Sequence, residues 1–252
     1  MEKIAIISDV HSNITAFNTV LEDIENRGIK RIFCAGDIVL KGSSPCEVVD
    51  IARKKCEVIV KGNAEEGAIN ETTSHKTWHR EILGKERIKY LDSLPLYYDF
   101  YMSGSLIRMF HASKNDTHFR IMDFDNVQDK MKLFEDENGI VPDIILYGDI
   151  HIQYMQKFFN KTLVNVGSVG DVIEFLNHDN TIGDMRETLQ AYYTIIEGDY
   201  GEREKKKSLS IQFVRIPYDI EKEIELAKKK NSASIDNYIF ELTTGTHRKN
   251  KK

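Results

Sequence analysis

Residues 3–13 read Lys-Ile-Ala-Ile-Ile-Ser-Asp-Val-His-Ser-Asn, and the reading of this stretch decides the fold. An aliphatic run from Ile4 to Ile7 stops abruptly at Ser8-Asp9-Val10-His11-Ser12-Asn13. An apolar run without alternation suits a strand buried on both faces, at the centre of a parallel or mixed sheet. Open α/β sheets bind their ligands at the carboxyl ends of such strands. On a continued strand Asp9 and His11 point the same way. A carboxylate and an imidazole on one face make half of a metal site. Taken alone, Asp-x-His is a common tripeptide and reads as a strand followed by a capped polar turn. Its companions elsewhere in the chain change that balance.

Downstream, Ala16, Phe17, Val20, Leu21 and Ile24 recur at three and four, as on an amphipathic helix, with Ser12 or Asn13 as its cap and Gly28 at its end. Arg31 to Ala35 form a second strand ending at Gly36-Asp37. Pro45 opens a helix over Glu47–Lys54, and Glu57 to Val60 form a third strand ending at Gly62-Asn63-Ala64. Strand–helix–strand repeats of this kind predict right-handed βαβ units. Residues 66–94 are polar and mostly helical around His75, Trp78 and His79, and read as a cap-like insertion over the site. Further strands are expected at Ser105–Phe110, ending at His111; at Asp143–Tyr147, ending at Gly148-Asp149-Ile150-His151; and at Thr162–Val166. Between them Val127 to Asp136 suggests a helix. Ala191–Glu197 and Ser208–Ile216 suit an antiparallel pair, and Ile220–Lys230 a last amphipathic helix. The chain is therefore divided into a domain over 1–230 and a weakly structured tail over 231–252.

The length of 252 residues and a hydrophobic share of 41% support a full core. No apolar run approaches the ~20 residues of a membrane-spanning helix, and no signal peptide is evident at the start. Cys34, Cys46 and Cys56 lack zinc-knuckle spacing and tight pairing, which fits a reduced, cytoplasmic chain. A formal net charge of −5 argues against broad nucleic-acid binding. The expected partner is a small phosphoester or nucleotide, with no membrane; the oligomeric state is left open.

Asp9, His11, Asp37, Asn63, His111, Asp149 and His151 all fall at the ends of expected strands. So many N and O donors at one sheet edge are costly to bury without a metal or mutual pairing. Asp9-x-His11, Gly36-Asp37, Gly62-Asn63, His111 and Gly148-x-x-His151 stand in the order of the calcineurin-like metallophosphoesterases, which the chain resembles from Lys3 to about Asp219. Asn165-x-Gly167-Ser168-x-Gly170 and Pro217-Tyr218-Asp219 extend the likeness. Within that family the chain looks closest to bacterial phosphodiesterases related to diadenosine tetraphosphate hydrolases.

The resemblance implies an α/β fold, a four-layer αββα sandwich of two mixed sheets, with two divalent metal ions. Asp9, His11, Asp37 and His151 would hold the first; Asp37 would bridge to the second, joined by Asn63, His111 and Asp149. Asp37, Asn63 and His111 would thereby serve catalysis, and a hydroxide bridging ions ~3.5–4 Å apart would attack phosphorus. Manganese or iron (Fe2+ or Fe3+) is favoured, with magnesium or zinc as alternatives.

The chain departs from the family pattern twice. Where the family usually has His, position 149 is Asp; Asp9, Asp37 and Asp149 then sum to −3 against +4 from two divalent ions, where His would leave −2. That makes the site one unit less positive and less inviting to dianionic monoesters. Where the family has His, position 64 is Ala. Losing a general acid costs ~10²–10⁴-fold in rate, least for leaving groups that need no proton. Phosphodiesters and phosphoanhydrides such as diadenosine polyphosphates are accordingly the expected substrates, with His75 or His79 as substitute acids. Asn13, Phe119 and Arg120 are candidate substrate contacts, Glu65 a candidate for orienting a ligand, and Ser168 for bonding one. A non-catalytic metal-bound scaffold and a phosphomonoesterase acting on phosphoproteins are the competing readings.

Overall fold

The computed structural model describes residues 1–70, 74–173, 189–232 and 234–246. The opening run forms β1 (Glu2–Ile7). It is the central strand of a five-stranded sheet that also holds β2 (Arg31–Cys34), β3 (Val58–Ile59), β9 (Ala191–Gly198) and β10 (Ser210–Ile216), in the order β10-β9-β1-β2-β3. β1 runs parallel to β2 and antiparallel to β9, with Ile6 opposite both Phe33 and Thr194. The second sheet has the order β4-β5-β6-β8-β7, built from β4 (Tyr97–Met102), β5 (Ser105–Phe110), β6 (Ile144–Tyr147), β7 (Tyr154–Phe158) and β8 (Lys161–Asn165).

Strand alternation assigns the layers. Ile4 and Ile6 point between the sheets and pack with Phe33, Phe100, Ile107, Met109 and Leu146. Ala5 and Ile7 point outward, against Phe17, Val20 and Ile24 of α1 (Ile14–Asn26) and Val48 and Val49 of α2 (Pro45–Lys55). Beyond the second sheet, Tyr147 and Leu163 pack with Leu133 and Phe134 around α5 (Val127–Lys132). The result is the expected four-layer αββα sandwich.

Two helices occupy the stretch expected as an insertion: α3 (Asn63–Asn70), which begins before it, and α4 (Ser74–Asp92), bent at Gly84. Trp78 stands edge-on to His79 with ring centroids 4.8 Å apart, and His79 is fully buried. The side chain of His75 and residues 247–252 lie outside the described residues.

Three elements were not anticipated. β4 and β7 are sheet edges with half-exposed faces, so neither reads as an apolar run. After the expected helix, α6 (Ile220–Lys230), the stretch expected to be a tail forms α7 (Ile235–Thr244). Ile235, Tyr238, Ile239 and Leu242 make its apolar stripe against Ile220, Ile224 and Ala227. Among the described residues no helix is long and apolar enough to cross a membrane.

Candidate metal centre

The strand ends come together because the backbone turns sharply there. Asp9, His11, Asp37, Asp149 and His151 all adopt positive φ, between 47° and 68°. Non-glycine residues pay for that region, and it persists where surrounding structure enforces it, often at functional sites. The strand therefore does not continue through Asp9-Val10-His11 as expected. The loops are knitted to one another instead: Asp9 N–H donates to Gly36 O at 3.0 Å, His11 N–H to Asp37 O at 3.0 Å and Gly170 N–H to Asp9 O at 2.9 Å. Gly62 allows a close approach, since a Cβ there would run into the Asp37 carboxylate.

Glu65 holds the second loop in place. Its buried carboxylate accepts N–H groups from Asp37 (2.9 Å), Ile38 (2.8 Å) and Gly62 (2.7 Å). Burial, with Asp37 beside it, pushes the Glu65 carboxyl up to about 7 against the pull of those donors. Asp37 Oδ1 in turn accepts Ala64 N–H at 2.8 Å, at the start of α3. Ser168 Oγ donates to Asp9 O at 2.9 Å and accepts Asp171 N–H at 2.9 Å, so it both steadies the first loop and closes its own turn.

Two donor clusters result: Asp9 with His11 and His151, and Asp9 with Asp37 and His111. Asp37 serves both sides, with Oδ2 3.7 Å from His11 Nε2 and Oδ1 3.3 Å from His111 Nε2. Asn63 Oδ1 lies 3.2 Å from His111 Nε2. Each imidazole spends Nδ1 on a main-chain carbonyl: His11 on Val39, His111 on Ala35, His151 on Asp171. In the neutral ring that puts the proton on Nδ1 and leaves the Nε2 lone pair to an ion or a second proton. His11 Nε2 and His151 Nε2 nevertheless sit 3.1 Å apart, and Asp9 Oδ1 is buried without a hydrogen-bond partner among the described residues. Carboxylates and imidazole Nε2 atoms crowded this closely suit a pair of cations.

Without an ion, the same carboxylates draw a second proton onto two of the rings. Burial lowers His151, yet Asp9 and Asp171 outweigh it and hold the ring at about 10. Burial likewise opposes charge on His111, but Asp37, Asp9 and Asp149 raise it well above the usual value. His11 goes the other way, down to about 4, through burial and the Lys41 ammonium. Asp37 stays below the usual carboxylate range, because His111 and His11 overcome its burial.

Asp171 and Lys41 are additions that the sequence did not announce. Asp171 Oδ2 lies 3.1 Å from His151 Nδ1 and is paired with Lys41. Lys41 also pairs with Glu241 of α7 at 3.2 Å. The only signal was an Asp directly after Gly170.

A cavity of about 420 Å³ opens over the clusters, lined by His11, Asp37, Asn63, Ala64, Asp149 and His151 and by the basic residues Lys41, Lys76, His118 and Arg120. Asn13, expected to touch substrate, is fully buried as the cap of α1: its Oδ1 accepts Ala16 N–H and its Nδ2 donates to Gly170 O, both at 2.9 Å. Phe119 is about a third exposed and is not among the lining residues, whereas Arg120 is. His79, a candidate acid, is buried away from the cavity. His118, from the loop after β5, lines it instead and lies 3.4 Å from Glu66. Asp149 is in neither donor cluster.

Residues 2–186 match the calcineurin-like phosphoesterase superfamily domain. The chain is 32% identical over 240 residues to an uncharacterized protein of Methanocaldococcus jannaschii, covering 88% of this chain and 90% of that one. Its fold is similar to a metallophosphoesterase from Sphaerobacter thermophilus (TM-score 0.72, 20% identity, 97% and 99% of the two chains). It is also similar to a hypothetical protein from Pyrococcus horikoshii OT3 (TM-score 0.76, 17% identity, 98% and 100% of the two chains).

Proposed function

The chain belongs to the calcineurin-like phosphoesterase superfamily, and from that premise we propose that it hydrolyses phosphodiester or phosphoanhydride bonds of nucleotides, diadenosine polyphosphates among them. One observation carries the reading: the Nε2 atoms of three imidazoles and the Asp9 and Asp37 carboxylates converge in two adjoining clusters. Asp9, His11, Asp37 and His151 would hold one divalent ion, and Asp37, Asn63 and His111 a second. Bound there, such ions supply activated water and charge compensation for phosphoryl oxygens.

The chain's own residues do the rest. The three Nδ1–carbonyl bonds hold the rings ready, so little reorganisation is needed on binding. Glu65 keeps Asp37 aimed at both clusters. Lys41, Lys76, His118 and Arg120 line the cavity beside Asp37, Asp149 and Glu241, and two divalent ions bound there would tip the balance toward a negatively charged substrate. Ala64 places no proton donor at the start of α3, which favours leaving groups that depart unprotonated.

A panel assay with Mn²⁺ tests the proposal, using an aryl phosphodiester, an aryl monoester, a phosphopeptide and diadenosine polyphosphates. The expected outcome is metal-dependent cleavage of the diester and the polyphosphates ahead of the other two. Inactivity on the whole panel with ions bound would favour a scaffold.

A further inference from the structure

Asp149 stands where the sequence places a ligand of the second ion, but the structure gives its carboxylate a different occupant. Arg120 grips it side-on, Nε to Oδ2 and Nη2 to Oδ1, both at 2.7 Å. The carboxylate is almost sealed, with 2% of the side chain exposed, while the arginine is 53% exposed and lines the cavity. Asp149 Oδ1 stays 3.8 Å from His111 Nε2, farther than Asp37 Oδ1 at 3.3 Å or Asn63 Oδ1 at 3.2 Å. Its backbone is pinned by donation of its N–H to Asp9 Oδ2 at 3.2 Å.

The arginine is held from both ends. Next to it, Ile121 is buried, and Ile121 O accepts the Tyr147 hydroxyl at 3.1 Å. Tyr147 lies two residues before Asp149, so one strand end anchors both the loop and the guanidinium. Two of the five guanidinium N–H groups are spent on Asp149, and the others have no partner among the described residues. A planar fork with spare donors, fixed beside a cation cluster, matches phosphoryl oxygens. The charge count agrees: Asp9, Asp37 and Asp149 give −3, and Arg120 returns +1, leaving −2. The pair thus restores the charge that a histidine at 149 would leave.

We infer that Asp149 is a positioning residue for Arg120 and not a metal ligand, and that Arg120 binds a non-bridging phosphoryl oxygen of the substrate. The second half rests on the phosphoesterase reading; the first does not.

Ion counting by elemental analysis and calorimetric titration of the Mn²⁺-loaded protein with inorganic phosphate separate the two. Asp149→Asn, which keeps the shape of the side chain, and Asp149→Ala should retain the parent's ions per chain. So should Arg120→Ala, while phosphate binding weakens ~10–100-fold in Arg120→Ala and in Asp149→Ala. Arg120→Lys should recover part of the loss, and the double variant Arg120→Ala/Asp149→Ala should bind phosphate no worse than Arg120→Ala. Loss of one ion in Asp149→Asn, or unchanged phosphate binding in Arg120→Ala, would overturn the inference. A parent protein that binds ions and phosphate but cleaves nothing in the panel would sink the proposed function alone.

Discussion

His11 Nε2 and His151 Nε2 face each other across 3.1 Å, the Nδ1 of each ring being held by a main-chain carbonyl. A cation that takes the place of the His151 proton bonds to both lone pairs at once. Ion binding should therefore stabilise the fold strongly. At an ion concentration of 100 Kd the gain is about 2.7 kcal/mol, or roughly 5–10 °C in Tm for a chain of this size. Thermal melts after chelation, then with Mn²⁺ restored, should show that fall and recovery; identical melts would count against the centre.

Asp171 acts through His151, whose Nδ1 it faces at 3.1 Å, and Lys41 beside it, with His151, holds its carboxyl well below the usual range despite burial. Carboxylates behind a ligating imidazole tune metal affinity. Asp171→Asn should weaken ion binding ~10–100-fold, read by titration with Mn²⁺, while activity at saturating ion changes far less.

The strand ends were legible because β1 to β3 are short apolar runs closed by donors, and the two-residue spacing of Asp9 and His11 survives even though their backbone is left-handed and not extended. What escaped was whatever depends on the partner. Asp171 means little without Lys41, which is thrown toward it by the left-handed turn at Leu40 and Lys41. Asp149 looks like a ligand until Arg120, 29 residues earlier, occupies it. β7 alternates half-exposed and exposed residues, so its period was hidden by the absence of an apolar face.

Ala64 lines the cavity and is buried, with no acid in its place. Ala64→His should raise turnover of alkyl-ester substrates by up to ~10²-fold and leave 4-nitrophenyl esters nearly unchanged. In the parent chain the rate should depend steeply on leaving-group pKa. A flat dependence in the parent would mean that another group already supplies the proton.

Asp136 pairs with Arg108 of β5 and with Lys114. Lys114 at 2.7 Å and Arg108 at 2.6 Å hold its carboxyl below the usual range. A depressed carboxylate contributes stability in full above its unfolded pKa of about 3.9 and loses it as pH falls toward the folded value. The acid limb of Tm against pH should thus steepen below pH 4, and Asp136→Asn should flatten it.

Helix α7 ties the end of the described chain to the site. Tyr238 is 2% exposed, packs into the α6–α7 core and donates to Glu223 Oε1 at 3.2 Å. Glu223 Oε2 accepts the Thr15 hydroxyl at 2.8 Å, at the start of α1, immediately behind the first metal loop. Removing a buried ring of this size costs about 3–5 kcal/mol, whereas removing only the hydroxyl costs about 1 kcal/mol. Tyr238→Ala should therefore lower Tm by roughly 6–20 °C and Tyr238→Phe by roughly 2–4 °C. Because Tyr238 touches neither donor cluster, both variants should retain the parent's ion stoichiometry below their melting points. An ion lost from Tyr238→Phe would show that α7 governs the centre and does not merely brace it.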